Sequence, residues 1–198
     1  AYSADLGFAK VHPEVAELVA AAAHTFEQLG AHVEQRDPGF ENTIELWMTH
    51  FRAAGPLLMG LLSEQQKDLL EPELRRRWAP ETAPSLEQFF AAAAAREKLG
   101  QHMARFHEDY DLLLTPVAGT PPFDVGLLGP EGYGADPHSS WIPFTPPFNL
   151  THQPAASVPC GFTADGLPVG LHIVGPMYRD DLVLRASRAY EAARPTWD

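Results

Sequence analysis

Hydrophobic and polar positions along the chain change period several times, and each change marks an element. Residues 155–163 and 167–174 are two apolar runs flanking Ala164-Asp165-Gly166. Asp-Gly supplies the positive φ of a tight turn, so the pair predicts a β-hairpin. Pro154, Pro159 and Pro168 sit where a strand begins or where no ladder bond is lost. A hairpin apolar on both faces belongs inside a larger sheet.

Further upstream, residues 1–8 are expected to form a short strand, and His12-Pro13-Glu14 to open a helix that Gly30 stops. Val15, Leu18, Val19, Ala22, Phe26 and Leu29 recur at helical spacing and predict its buried face. Residues 31–36 alternate as a strand would, so the first 36 residues read as a parallel crossover unit. Residues 37–110 read as a helical segment. It comprises a helix that Gly55-Pro56 should break or kink, capping boxes at Ser63/Gln66 and Ser85/Gln88, and a long helix over 85–109. The segment is expected to cover the sheet. DLLLTPV at 111–117 reads as a buried central strand. Ten of the 19 prolines then fall between Pro116 and Pro159, and long ordered loops of this kind are often functional walls or lids. Within it residues 141–151 suggest a short helical piece. Asp180-Asp181 opens a last helix, with Leu182, Leu184, Ala186, Ala189 and Tyr190 as its apolar positions.

Composition narrows the function classes. A chain of 198 residues, 45% hydrophobic and 20% charged, can bury one sizeable core. A net charge of −12 argues against nucleic acid as a partner, and Arg75-Arg76-Arg77 reads as a solvated helix end beside acidic neighbours. With one cysteine, Cys160, no internal disulfide can form, which fits a reducing, cytoplasmic setting. No apolar run is long enough to span a membrane, so a membrane is not expected as a partner.

Reacting groups are harder to find. No G-x-S-x-G elbow occurs, and His138-Ser139-Ser140 places base and nucleophile side by side, where they rarely align. Cys160 lies on an apolar strand and reads as an inert buried thiol. Among nine histidines, His102 and His107 face directions about 140° apart on one helix, so they do not form a ligand pair. His152 and His172 flank the hairpin and read as satisfied structural histidines. Neither a metal nor an organic cofactor is expected.

D-LLLTP, FNLT-x-QPAASVPCG and GLPVGLHIVGP, followed by an amphipathic helix, strongly resemble the C-terminal end of amidase signature enzymes. AYSADLGF and the helix after it look like the segment that follows that family's catalytic region. The resemblance is specific over 111–193, moderate over 1–36 and faint over 37–110. It implies an α/β fold, a mixed, largely parallel sheet covered by helices, with the whole chain forming the C-terminal portion of a single amidase domain. It further implies hydrolysis of an amide carbon–nitrogen bond through a serine acyl-enzyme. The family's triad of Ser, a second Ser in a cis peptide, and Lys matches no position here, and Lys10, Lys67 and Lys98 lie outside its motif. The expected catalytic residues are therefore none. The expectation is an inactive C-terminal fragment whose partners are the N-terminal catalytic region of the same protein and a small-molecule amide, with a homo-oligomer formed through exposed apolar surface.

Trp141, Phe144, Phe148, Asn149 and His152 are the positions expected to line the substrate pocket. His152 replaces a glycine frequent in the family, which suggests a side chain narrowing that pocket. Two alternatives share the motifs: a protein resembling the amidase-type subunit of glutamyl-tRNA amidotransferase, and a non-catalytic binding scaffold of the same fold.

Overall fold

The computed structural model describes residues 1–133 and 141–194. Two compact units divide it, Ala1–Thr43 with Leu99–Asp198, and Ile44–Lys98. The first contains the sheet. Strands β1 (Leu113–Pro116), β2 (Ala155–Phe162) and β3 (Pro168–Val174) lie in the order β1-β3-β2, antiparallel throughout. The predicted hairpin is β2–β3. Its turn closes through Gly166 N–H to the Thr163 carbonyl at 2.9 Å, with Gly166 at φ +78°.

An α/β fold with a mixed sheet is observed, and among the described residues its parallel pairing is confined to Tyr2. That residue bridges in parallel to both Leu114 and Gln35. The N-terminal strand is thereby reduced to one bridge, because the chain turns away at once. Leu6 (φ +57°) and Gly7 (φ +83°) form the turn, with Phe8 N–H donating to the Asp5 carbonyl at 3.1 Å. Ser3 braces it, donating to Asp37 at 2.6 Å and accepting from Leu6 N–H at 2.9 Å. The crossover direction is as expected, while residues 31–36 supply only Gln35 to the pairing. β1 is fully buried, but the centre of the three-stranded sheet belongs to β3.

Helix α1 (Pro13–Gln28) packs on one sheet face together with α7 (Asp180–Ala193). Val15, Val19 and Phe26 meet Leu171, Ile173, Val158 and Cys160, and Phe26 stacks on Tyr190 with ring centroids 5.6 Å apart. Burial of each such side chain contributes about 1.5–3 kcal/mol. Two sequence expectations shift here. Leu29 is exposed beyond the end of α1, and in α7 the buried positions are Val183, Ser187 and Tyr190, with Leu184 facing solvent. The α7 stripe is one residue out of phase with the leucines because Tyr190 sets the face.

The opposite sheet face carries a second core of Leu6, Met103, Leu113, Phe144, Phe148 and Val174. Met103 comes from α5 (Leu86–Asp109), and Phe148 from α6 (Pro146–Thr151), the short helix expected in the proline-rich segment.

The second unit holds α2 (Ile44–Gly60), α3 (Glu64–Asp68), α4 (Pro72–Arg77), a 3-10 turn at Pro80–Thr82 and the first part of α5. Both capping boxes form, Ser63 with Gln66 and Ser85 with Gln88. The expected break at Gly55-Pro56 does not occur, and α2 continues to Gly60. Gly55 lies so close to Trp78 that a Cβ there would stand 2.8 Å from Trp78 Cα. That packing holds the helix through a proline that removes one backbone bond. Each arginine pairs with an acidic neighbour, Arg75 with Asp68 at 2.8 Å and both Arg76 and Arg77 with Glu73, but the expected solvated end holds for Arg75 and Arg76 alone, since the Arg77 side chain is 11% exposed. Hydrogen bonds from Arg76 and Arg77 hold the pKa of the Glu73 carboxyl at about 2. Among the described residues no helix is long and apolar enough to cross a membrane.

Candidate functional site

Strand alternation sorts the sheet's second face into a covered half and an open half. The register aligns Thr115 with His172 and His172 with Ser157 in one row across the three strands. Below this row, Phe144 and Phe148 cover the sheet. Above it, with Ser157 of the row at the lower edge, Pro159 of β2, Gly170 of β3 and Val117 beyond β1 floor a cleft of about 570 Å³. Its outer wall is the segment from Ala118 to Phe123 with Trp141, whose ring meets Phe123 edge to face at 5.3 Å. The absence of a side chain at Gly170 shapes the floor, since a Cβ there would lie 2.9 Å from Ser157 Oγ and 3.0 Å from Val117. Among the described residues none of the lining side chains is ionisable. The cleft can therefore seat an apolar group, and the side-chain hydroxyls among those described residues are those of Thr120 and Ser157.

Of the five expected pocket residues, Trp141 lines this cleft. Phe144 and Phe148 are 0% and 2% exposed and belong to the core beneath it. Asn149 faces solvent on α6. His152, also exposed, follows α6 as its C-terminal cap at φ +57°. This position is a left-handed helix cap, a conformation that glycine adopts without strain. His152→Gly is expected to raise stability by about 0.5–1 kcal/mol in urea unfolding, the relief of left-handed strain exceeding the added chain entropy. A lowered midpoint would show that contacts of the imidazole outweigh the strain. The segment containing His138, Ser139 and Ser140 lies outside the described residues.

Sequence reasoning marked the proline-rich stretch between Pro116 and Pro159 as a wall or lid but named none of residues 117–123, because a loop has no period to read. It could have found Ser157, Pro159 and Gly170 from the two-residue alternation of the hairpin.

Next to α6 a polar network fixes the cleft's supports. Gln153 donates to His107 Nε2 at 2.8 Å and to the Gly175 carbonyl at 3.0 Å, and accepts from the Thr151 hydroxyl at 2.8 Å. His107 Nδ1 lies 2.8 Å from the Tyr110 carbonyl, which makes Nδ1 the protonated nitrogen and Nε2 the acceptor. Burial lowers the His107 pKa, in keeping with a neutral ring in this role. His172 is buried too, and desolvation brings its pKa down to about 4. Its Nδ1 is 3.5 Å from Thr115 Oγ1, and no hydrogen bond joins it to Ser157. The row is therefore not a nucleophile–base pair. Cys160 donates to the Val169 carbonyl at 3.4 Å, and burial pushes its thiol up to about 12, so it is inert as expected. Among the described residues no cluster of His, Cys, Asp or Glu is placed to hold a metal ion.

The fold matches those of solved enzymes of the amidase signature family. The chain superimposes on a bacterial aryl acylamidase of that family with a TM-score of 0.81 at 28% identity, over 98% of this chain and 43% of that one. On 6-aminohexanoate cyclic dimer hydrolase complexed with substrate the TM-score is 0.79 at 25% identity, covering 98% and 45%. The family model described as Amidase matches residues 1–184. This chain belongs to the amidase family. It is 34% identical to an acylamidase of Rhodococcus erythropolis over 100% of this chain and 43% of that protein. It is 31% identical to a putative amidase, AmiC, of Mycobacterium tuberculosis (strain CDC 1551 / Oshkosh), over 92% and 40%. The chain thus spans less than half the length of these relatives.

Proposed function

We propose that this chain is the substrate-holding C-terminal portion of an amidase that hydrolyses a carbon–nitrogen amide bond through a serine acyl-enzyme. The observation that carries the reading is the neutral, aromatic-walled cleft on the open sheet face of an amidase-family chain. An uncharged amide with an apolar substituent fits such a lining, because no charged wall must be desolvated to admit it. Trp141 adds a buried indole N–H without a partner among the described residues, the kind of unmet donor that recurs at functional sites. The nucleophilic serine, the second serine and the lysine base belong to an N-terminal catalytic region of the same protein, with which this chain works. Backbone N–H groups of that region would stabilise the oxyanion. Among the described residues no serine is hydrogen-bonded to a histidine or a lysine, and the Ser3–Asp37 pair braces a turn, so the chain by itself does not turn over amides. The likeness to an acylamidase favours a small acyl amide over a charged tRNA, and the net charge of −12 agrees.

Titration with 4-nitroacetanilide, whose nitroaryl ring quenches indole fluorescence, tests the cleft. Saturable quenching is expected, and Trp141→Phe should remove most of it; quenching that survives the exchange unchanged rejects the cleft as the site. A fluorophosphonate probe should leave the chain unlabelled, and stoichiometric labelling would refute the absence of a reacting serine.

A further inference from the structure

The cleft's outer wall is a loop, yet it stands in one place because its two ends are held by the same short segment. At the near end, His12 N–H donates to the Gly119 carbonyl at 2.8 Å, and Gly119 N–H donates to the Trp141 carbonyl at 3.2 Å. At the far end, Lys10 Nζ donates to the Gly132 carbonyl at 2.9 Å and lies 4.9 Å from the centre of the Tyr133 ring. The backbone of Lys10 also meets the near end, since its carbonyl oxygen lies so close to Gly119 that an added Cβ there would stand 2.5 Å from it. Between the two ends Val125, Leu127 and Leu128 expose apolar side chains. Lys10 is itself exposed and forms no ion pair among the described residues, so its charge is committed to this loop.

We propose that Lys10 is a positioning residue of the cleft: its ammonium clamps the Gly132–Tyr133 end of the loop while its backbone abuts Gly119, and it thereby sets the outer wall against which an apolar ligand packs. The inference rests on the cleft reading above but reaches past it, since it assigns control of the wall to a residue that does not touch the ligand. An ammonium suits the role. It donates to a carbonyl and at the same time offers its charge to an aromatic face. An apolar side chain of similar length, such as methionine, can do neither.

The test compares the full chain with its Lys10→Met and Lys10→Arg variants, read by limited chymotrypsin cleavage and by 4-nitroacetanilide titration. Lys10→Met should speed cleavage after Phe123, Leu127 and Leu128 about five- to tenfold and weaken 4-nitroacetanilide binding about fivefold. Its melting temperature should stay within about 2 °C of the parent, and Lys10→Arg should restore both readouts to within twofold. Unchanged cleavage in Lys10→Met overturns the clamp, and faster cleavage with unchanged affinity overturns the positioning role. If the parent chain does not bind 4-nitroacetanilide, the cleft reading falls, and cleavage alone decides the clamp. Should Lys10→Met not fold, Tyr133→Leu keeps the lysine while removing the ring it faces, and must give the same increase in cleavage.

Discussion

Acidification from pH 6.5 to pH 4 is expected to cost the protein roughly 3 kcal/mol of stability through one residue, His172. In the unfolded chain its imidazole takes a proton near the ordinary value of 6.5, whereas in the folded chain burial holds it neutral down to about 4. Between those values the unfolded state binds more protons than the native state, so acid shifts the balance toward unfolding. Above pH 6.5 both states carry the neutral ring and the group contributes no slope. At about 1.4 kcal/mol per unit, the difference of about 2.5 units is worth about 3.5 kcal/mol in full, and roughly 3 of it is lost by pH 4, where the native ring is half protonated. His172→Leu fills a similar volume, and Thr115 keeps its own hydrogen bond to the Pro116 carbonyl at 2.8 Å. Urea unfolding of both proteins at pH 7 and pH 4 isolates the effect, because their surface carboxylates are identical. The parent should lose about 3 kcal/mol more than the variant. Parallel losses would mean that His172 is protonated within the fold.

Substitution of Gly119 by alanine should destabilise the protein by about 2–3 kcal/mol, the upper range for overpacking. The added Cβ would stand 2.5 Å from the Lys10 carbonyl oxygen, a backbone atom that no rotamer change can move aside. Both backbone bonds of Gly119, to His12 and to Trp141, depend on the same close approach. The variant should therefore also bind 4-nitroacetanilide less tightly, as the wall is pushed outward. Gly100→Ala is the matched control, since it lies within α5 with nothing within 4 Å of the added methyl. That exchange should stabilise by up to about 1 kcal/mol. Equal effects at the two positions would discard the steric argument.

Legibility of this chain in its sequence followed how locally each feature is specified. The β2–β3 hairpin was readable because Asp165-Gly166 and the flanking apolar runs carry the instruction within a few residues. Helix α1 was readable from Pro13 at its start and its apolar spacing. The run through Pro56 was not, because the contact that sustains it, Gly55 against Trp78, joins positions distant in sequence. The α7 face depended on Phe26 stacking with Tyr190, again a tertiary matter. At the site, Trp141 could be anticipated as an aromatic in a proline-rich loop. Phe144 and Phe148 carry the same local signal, yet the lower half of the sheet takes them for its cover. Whether a ring becomes wall or core was decided by which sheet row it faces, and only the strand register reveals that.

The shift in pairing between Pro159 and Gly161 bears on more than the cleft floor. Among the described residues β2 is an outer strand of the three-stranded sheet, and outer strands offer unpaired backbone groups to any passing chain. Pro159 has no N–H to offer, and the bulge beside it breaks the even spacing a second strand would need. The residues that shape a binding surface on one face thus also guard the sheet's margin against edge-to-edge aggregation.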